Sequence, residues 1–236
     1  GDGSGALAEA VSSMLAEVGQ NGATGMRFSV PRVLAWQPDL KLSLLENLPG
    51  KDIVGDLLKA RLRDKPAPGA ALSLEDTIEA AAGLAAALHR SGSTLGPRRS
   101  IDDELGRLGA TIAAMQPFSP ELCAVLGEWH ALLSQHARET HALPLCFSHG
   151  DFTAGQILFD GTACGLIDFD SVCQAEPALD IAQFITYLTV GGQKSKRTVE
   201  ETAALFADLT ARFMQRYCAA AGYTGNAAQH LEERVT

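Results

Sequence analysis

Three side chains with the chemistry of metal ligands lie within the stretch Ser148–Asp170. Asp151 follows His-Gly, Gln156 precedes a short apolar run, and Asp168 closes a second apolar run. Carboxylate and amide oxygens are hard ligands of the kind that Mg²⁺ prefers in proteins. Because the three residues are separated in the sequence, they can act together only if the chain turns back between Gln156 and Asp168.

A β-hairpin is the element that would bring these residues together. The dipeptide Asp160-Gly161 separates the apolar runs ILF and GLI, and Asp-Gly between two β-prone runs is a strong hairpin signal. The hairpin would place Asp151 and Gln156 on one side of the turn and Asp168 on the other. A purely structural hairpin is the alternative, but the convergence of three oxygen ligands favours a functional site.

The predicted cluster matches the needs of phosphoryl transfer. That reaction requires a group that orients the attacking hydroxyl and accepts its proton, and metal ions that neutralise charge on the phosphates. Asp151 would be the catalytic base, and Gln156 and Asp168 would hold Mg²⁺.

The two motifs resemble those of the aminoglycoside phosphotransferase and choline kinase superfamily, which shares the protein-kinase fold. The family pattern is His-Gly-Asp, a spacer, Asn, a short strand, and then Ile-Asp-Phe/Trp-Asp/Glu. HGDFTAGQ followed by LIDFD matches this pattern, except that Gln156 occupies the Asn position. The resemblance implies Mg²⁺ as cofactor and ATP or GTP as phosphoryl donor.

The resemblance also implies a nucleotide-binding hinge in the segment LLENLPG. Backbone groups of Glu46, Asn47 and Leu48 would hydrogen-bond the adenine edge between the two lobes of the fold. The alternative for this segment is a plain turn between domains, because Pro-Gly is common in turns.

Three further residues are expected to support the site without carrying the chemistry. His149 would brace the catalytic loop through hydrogen bonds, and Asp170 would lie behind the metal ligands. By the resemblance, Asp180 would brace the catalytic loop from below. The alternative for Asp180 is an acid at a helix N-terminus, where the helix dipole favours it.

The surrounding sequence predicts an α+β fold of the protein-kinase type. Apolar spacing predicts a helix over 6–18 and strands over 32–36 and 40–45, which would form a short antiparallel sheet. Residues 1–48 would thus be a partial small lobe with the hinge, and residues 49–236 a mostly helical large lobe.

Helical periodicity in the large lobe predicts helices that begin near Asp52, Ser73, Ser100, Ser119, Pro177 and Thr198. Ser73 with Asp76 has the spacing of a capping box, and Ser119 is expected to cap its helix through the side chain. His89 is expected near a helix end, favoured there by the helix dipole. The polar residues after Gly222 are expected to be peripheral.

Two features of the family's small lobe have no counterpart in the sequence. No glycine-rich strand pair precedes the predicted helix over 6–18, and Lys41, Lys51 and Lys59 all follow it, so no strand lysine is in place. Glu9 and Glu17 could each stand for the glutamate that pairs with that lysine. Either the chain is a fragment of a longer enzyme or its small lobe has degenerated.

Composition excludes several functional classes. The 236 residues carry a net charge of −9, which argues against a nucleic-acid or anionic-membrane surface. The five cysteines include no CxxC pair, and no apolar run is long enough for a membrane span or a signal peptide. We therefore expect a cytoplasmic protein whose partners are a nucleotide and a small-molecule substrate. The sequence specifies neither the substrate nor the oligomeric state.

Two functions remain after these considerations. The first is a small-molecule phosphotransferase, and the second is a non-catalytic nucleotide- or ligand-binding module of kinase fold, comparable to a pseudokinase. Gln156 bears on the choice, because its additional methylene shifts the amide oxygen relative to an Asn. The acids Asp151, Asp168 and Asp170 favour the enzyme, since clustered carboxylates repel one another when no cation is bound.

Overall fold

The structure is a computed structural model that describes residues 13, 28–40, 42–66, 69, 72–161, 163–191 and 195–235. The helix expected over 6–18 lies outside these residues, apart from Ser13, which is helical. In chain order the elements are β1 (Phe28–Ser29), β2 (Val33–Gln37), β3 (Leu42–Leu45), α1 (Val54–Leu62), α2 (Leu74–His89), α3 (Ile101–Met115), α4 (Pro120–Glu139), β4 (Cys146–Ser148), β5 (Ile157–Phe159), β6 (Cys164–Leu166), β7 (Cys173–Ala175), α5 (Ala178–Gly191), α6 (Val199–Ala221) and α7 (Gly225–Val235). The predicted α+β composition is confirmed.

The strands form three small sheets. β2 pairs with β3 and β4 pairs with β7, both antiparallel, and the third sheet has the order β1-β6-β5. In that third sheet β5 and β6 form the predicted antiparallel hairpin, with Ile157 opposite Leu166. β1 joins β6 in parallel, which the sequence analysis did not predict, because a strand of two residues has no periodicity to recognise.

Helix α2 lies at the centre of the hydrophobic core. Almost every one of its side chains is buried, including Ile78, Leu84 and Leu88, as its alanine-rich, all-round apolar sequence requires. It packs along α6, whose Phe213 and Tyr217 are also fully buried. The small side chains of α2 allow this close packing. The same helix pair supports the loop that carries Asp151, through contacts described below.

The N-terminal ends of the helices mostly agree with the sequence-based predictions. Ser73 forms the predicted capping box with Asp76, and Ser100 and Thr198 begin their helices in the same way. The predicted side-chain cap of Ser119 is wrong: its backbone, at φ −152° and ψ 70°, lies outside the usual cap conformation, and its side chain makes no capping bond. Pro120 still begins α4, because a proline at the first helical position lacks only an N–H that the helix does not use.

Helices α3 and α4 form a pair that stands away from the core. No residue of α3 is buried, and Cys123 is the buried residue of α4. The two helices contact each other, and the His130 ring lies 2.9 Å from the Leu105 carbonyl oxygen. Their remaining apolar side chains therefore face solvent or the space between this pair and the rest of the lobe.

The residues after Gly222 were expected to be peripheral, and this prediction is wrong. They form α7, whose Leu231 is fully buried. Arg234 donates two hydrogen bonds to Glu176 at 2.8 and 2.9 Å, with both side chains largely buried. The partners lie far apart in the sequence, so no local pattern could indicate the contact.

All five cysteines lie among the described residues, and none of them forms a disulfide. Burial raises the pKa of Cys146 to about 12 and that of Cys164 to about 11. Both therefore stay protonated at neutral pH and act as small apolar residues. Among the helices that the structure describes, none combines the length and apolar character needed to cross a bilayer.

We predict that Arg234→Met lowers the free energy of unfolding by about 3 kcal/mol, because it leaves the largely buried Glu176 carboxylate without its partner. Arg212→Met is the matched control, since Arg212 is paired with Asp208 on the open surface, where such pairs contribute below about 1 kcal/mol. Urea denaturation of both variants measures the difference. Equal losses in the two variants would contradict an anchoring role for Arg234.

Candidate active site

The loop that carries Asp151 connects β4 to the 3-10 turn Ala154–Gln156. Gly150 in this loop has a φ of +79°, and a Cβ at that position would lie 2.0 Å from the carbonyl oxygen of Ser171. Only glycine tolerates such a contact. The loop therefore packs directly against the turn that follows Asp168.

A single buried carboxylate holds the start of the loop. Asp180 accepts a hydrogen bond from the backbone N–H of His149 at 2.7 Å and another from that of Gly150 at 2.8 Å. The Asp180 side chain is fully buried near the start of α5. Both of its oxygens thus fix two successive peptide groups immediately before Asp151.

His89 and Tyr217 extend this contact into the core. His89 Nε2 lies 3.1 Å from Asp180 Oδ2, and His89 Nδ1 lies 2.7 Å from the Tyr217 hydroxyl. His89 is the last residue of α2, as expected, and its ring is in addition buried and bound at both nitrogens, which the sequence analysis did not predict. Burial alone would raise the pKa of Asp180, but the hydrogen bonds from His89 and Gly150 and the nearby imidazoles lower it below its usual value.

His149 lies between the loop and the end of β6. Its Nε2 is 3.0 Å from the carbonyl oxygen of Ile167, and its ring packs 5.0 Å from that of Phe169. Its buried Nδ1 has no hydrogen-bond partner among the described residues. The side chain thus connects the two halves of the motif, between Asp151 and Asp168.

Two residues that the sequence analysis missed complete the support of the loop. Gln183 accepts a hydrogen bond from the Phe152 N–H at 3.1 Å and donates one to the Gly150 carbonyl at 2.9 Å, so it fixes the backbone on both sides of Asp151. Arg99 donates to the same carbonyl at 3.3 Å. Gln183 lies one helical turn after Asp180, which is the signal that could have identified it.

The structure brings Asp151, Gln156 and Asp168 together, as the hairpin prediction required. Gln156 Nε2 donates to Asp168 Oδ2 at 3.1 Å and, more weakly, to Asp151 Oδ2 at 3.4 Å. Asp168 has a left-handed backbone, at φ +69°, which turns the chain sharply after β6. Asp170 lies exposed on the 3-10 turn that follows.

The residue types of this cluster fit Mg²⁺, which binds proteins through one or two carboxylates and completes its shell with water and phosphate oxygens. Asp168 is exposed and Gln156 partly so, which leaves room for such ligands. The Gln156 amide nitrogen donates to both carboxylates, so the amide must turn before its oxygen can bind a metal. Within the described residues, no group of three His, Cys, Asp or Glu side chains could hold a metal by itself.

The predicted hinge lies next to this hairpin. Lys51 and Phe159 exchange two backbone hydrogen bonds, of 3.1 and 2.9 Å, and Leu48 packs over Gly165. The Glu46 N–H donates to the Arg32 carbonyl at 2.9 Å. The Glu46 N–H is thus already used within the protein, whereas the exposed Asn47 extends towards solvent.

A cavity of about 670 Å³ opens beside the catalytic loop. Helices α3 and α4 form one wall, and α5 and α7 form the other. Thr153, Gln183 and Arg99 all line it. The cavity therefore reaches the loop that presents Asp151.

The chain is similar to known proteins in sequence and in fold. The sequence model of the phosphotransferase enzyme family matches residues 4–229. No curated protein sequence matches the chain at a significant level.

Several solved structures share the fold. Glucosamine kinase is 20% identical at a TM-score of 0.63, with 95% of this chain and 61% of that chain covered. Macrolide 2′-phosphotransferase from Brachybacterium faecium is 16% identical at 0.54, with 98% and 71% covered. A choline/ethanolamine kinase family protein from Mesorhizobium loti is 17% identical at 0.51, with 96% and 84% covered. The predicted kinase-like fold is thereby confirmed.

We predict that Asp180→Asn lowers the free energy of unfolding by about 3 kcal/mol at pH 7, because an amide NH₂ would face a backbone donor. The folded-state pKa of Asp180 lies below its unfolded-state value. The contribution of the carboxylate is therefore fully present above about pH 4 and is lost as the pH falls through the lower folded-state pKa.

Denaturation of the parent protein and the Asp180→Asn variant between pH 7 and pH 3 tests this, and the gap in stability should narrow on acidification. Asp208→Asn, which alters an exposed carboxylate, should change stability by less than about 1 kcal/mol. A gap that stays constant down to pH 3 would show that the charge of Asp180 is not its source.

Proposed function

Because the chain belongs to the phosphotransferase enzyme family, we propose that it transfers the γ-phosphoryl group of ATP or GTP to a hydroxyl of a small molecule. The observation that carries the proposal is the convergence of Asp151, Gln156 and Asp168 at the end of the β5–β6 hairpin. A general base and two oxygen-bearing metal ligands at one point are the groups that phosphoryl transfer requires.

Asp151 is the proposed catalytic base. The peptide groups on both sides of it are held by Gln183, and those before it by Asp180, so the direction of its side chain is set before any substrate arrives. Its carboxylate orients the acceptor hydroxyl and takes the proton as the oxygen attacks the γ-phosphorus, whose bond to the bridging oxygen breaks as the nucleoside diphosphate leaves. Such assistance contributes about 10²–10⁴-fold in rate.

Asp168 and Gln156 are the proposed metal ligands. Bound Mg²⁺ would supply neutralisation of the charge on the donor phosphates. Asp168 presents its carboxylate from the sharp turn after β6, and His149 ties that turn to the catalytic loop through the Ile167 carbonyl. Asp170, on the next turn, adds negative charge behind the ligands.

The hinge is the proposed adenine-binding segment. Asn47 and Leu48 can offer backbone groups, whereas Glu46 can offer only its carbonyl, because its N–H donates to Arg32. We propose that residues 1–48 contribute a partial small lobe and residues 49–236 the large lobe. The bonds between Lys51 and Phe159 would keep the hinge in register with the metal-binding hairpin.

One observation favours a second candidate, a non-catalytic binding module of the same fold. The Gln156 amide nitrogen donates to both carboxylates of the cluster. It thereby supplies part of the positive potential that a cation would otherwise supply. A protein that keeps this arrangement would bind a nucleotide with little dependence on Mg²⁺ and would not turn over an acceptor.

We predict that ATP or GTP with Mg²⁺ raises the melting temperature and that Asp168→Asn removes the metal-dependent part of the rise. Asn tolerates the left-handed backbone at this position, so the change removes charge without straining the turn. Binding at 100-fold over Kd adds about 2.7 kcal/mol, or roughly 5–10 °C for a chain of this size.

Thermal-shift titrations with and without Mg²⁺ measure this effect, with Asp208→Asn as a control that should respond like the parent protein. A flat response to every nucleotide would rule out nucleotide binding by this chain. A metal-dependent rise that persists in the Asp168→Asn variant would move the metal site elsewhere.

We predict that Asp151→Asn lowers kcat by about 10²–10⁴-fold while the affinity for Mg²⁺-nucleotide changes little, because the variant keeps the shape of the side chain and loses only the base. Nucleoside diphosphate release with a panel of alcohols measures kcat, and thermal shift measures nucleotide binding. Equal turnover by the parent protein and the Asp151→Asn variant would contradict the proposed mechanism. Nucleotide binding without turnover of any alcohol by the parent protein would favour the binding module.

A further inference from the structure

The cavity beside the catalytic loop has the size and position of an acceptor site. Its volume of about 670 Å³ falls within the range of about 300–1,000 Å³ typical of small-molecule sites. Gln183 and Thr153 line it, and Gln183 binds the backbone on both sides of Asp151. A molecule in the cavity would therefore contact the loop that carries the proposed base.

The walls of this cavity are predominantly apolar. Large side chains that the folded chain leaves exposed line it from three helices, and they are Ile101, Leu108, Leu133, Tyr187 and Val190. Covering such side chains removes apolar surface from water, which is the main favourable term in binding an apolar ligand. The cavity is thus suited to a molecule with an apolar body.

The carboxylates in the cavity wall are already paired. Glu104 accepts a hydrogen bond from Arg99 at 2.7 Å and is also bonded by Arg107. Glu176 accepts two hydrogen bonds from Arg234. A molecule with several amines needs open carboxylates, so it would have to break these pairs to bind here.

We propose that the acceptor is an amphipathic alcohol with a large apolar body and at most one positive charge, and not a sugar with several amines. The inference rests on the proposed function, because the cavity is an acceptor site only if Asp151 acts on a hydroxyl. Within the cavity, Thr153 and Gln183 provide polar groups at the catalytic loop, and the apolar walls extend away from it. The hydroxyl would face the loop, and the apolar body would contact α3, α4 and α5.

Alkyl β-D-glucosides from methyl to octyl test this, because they carry the same hydroxyls on apolar bodies of increasing length. Binding is measured by calorimetry below the micelle concentration and without nucleotide. Each buried methylene should raise the affinity roughly fourfold, so octyl should bind at least about tenfold more tightly than butyl even if only two of its four additional methylenes are buried. Kanamycin, a sugar with several amines, should bind more weakly than octyl glucoside.

Two neighbouring leucines of α4 provide a matched pair of variants. Leu133 lines the cavity and is 48% exposed, whereas Leu132 is 57% exposed and does not line it. Leu133→Glu should lower the affinity for octyl glucoside by at least about tenfold and abolish the dependence of affinity on alkyl chain length, because the alkyl chain would contact a charge. Leu132→Glu, which adds the same charge outside the cavity, should bind the series like the parent protein.

Equal affinities for methyl and octyl glucoside, tighter binding of kanamycin, or equal losses in the two glutamate variants would each overturn the inference. If any of these results comes with an intact Mg²⁺-nucleotide response, the inference fails alone. If the nucleotide response is absent while the dependence on chain length persists, the proposed function fails and the apolar ligand preference of the cavity stands.

Discussion

The buried carboxylate of Asp180 is the contact on which the rest of the site depends. It accepts hydrogen bonds from two successive backbone N–H groups of the catalytic loop, and it is itself bound by His89, which contacts Tyr217. A buried charge is costly unless it is fully bonded, so this arrangement is stable only in one conformation of the loop. His89 lies on α2 and Tyr217 on α6, so this packed helix pair restricts the conformation of the loop that presents Asp151.

The β5–β6 hairpin is joined to the loop that carries Asp151 by contacts that mostly involve backbone atoms. Gly150 packs against the Ser171 carbonyl, and the His149 ring lies against the Ile167 carbonyl. Phe159 on the hairpin in turn pairs with Lys51, next to the predicted hinge. The segment of the predicted hinge, the β5–β6 hairpin and the loop that carries Asp151 therefore form one connected framework, held largely through backbone atoms. Such a framework is suited to a family in which the substrate differs while the phosphate chemistry is retained.

The cavity wall is built on a different principle. Helices α3 and α4 contribute almost nothing to the core, so their exposed side chains can differ without disrupting the packing of the protein. Their position depends on polar contacts: Arg99 links the start of α3 to the Gly150 carbonyl, and Arg234 of α7 donates to the Ala137 carbonyl of α4 as well as to Glu176. Because Arg99 and Arg234 are paired with Glu104 and Glu176, these two carboxylates give the cavity wall little net negative charge. The same pairs therefore hold the wall and underlie its proposed ligand preference.

Local patterns in the sequence were enough to predict the hairpin at Asp160-Gly161, the capping box at Ser73, the helix start at Thr198, and the convergence of Asp151 with Asp168, because each depends on residues close together in the chain. The missed contacts join residues far apart: His89 to Asp180, Arg234 to Glu176, and Phe28 to Cys164 in the parallel strand pair. Such partners are selected by the packing of whole helices and strands, and nothing in the neighbouring sequence specifies them. The orientation of the Gln156 amide belongs to the same group, because it is set by two carboxylates that only the folded hairpin brings within reach.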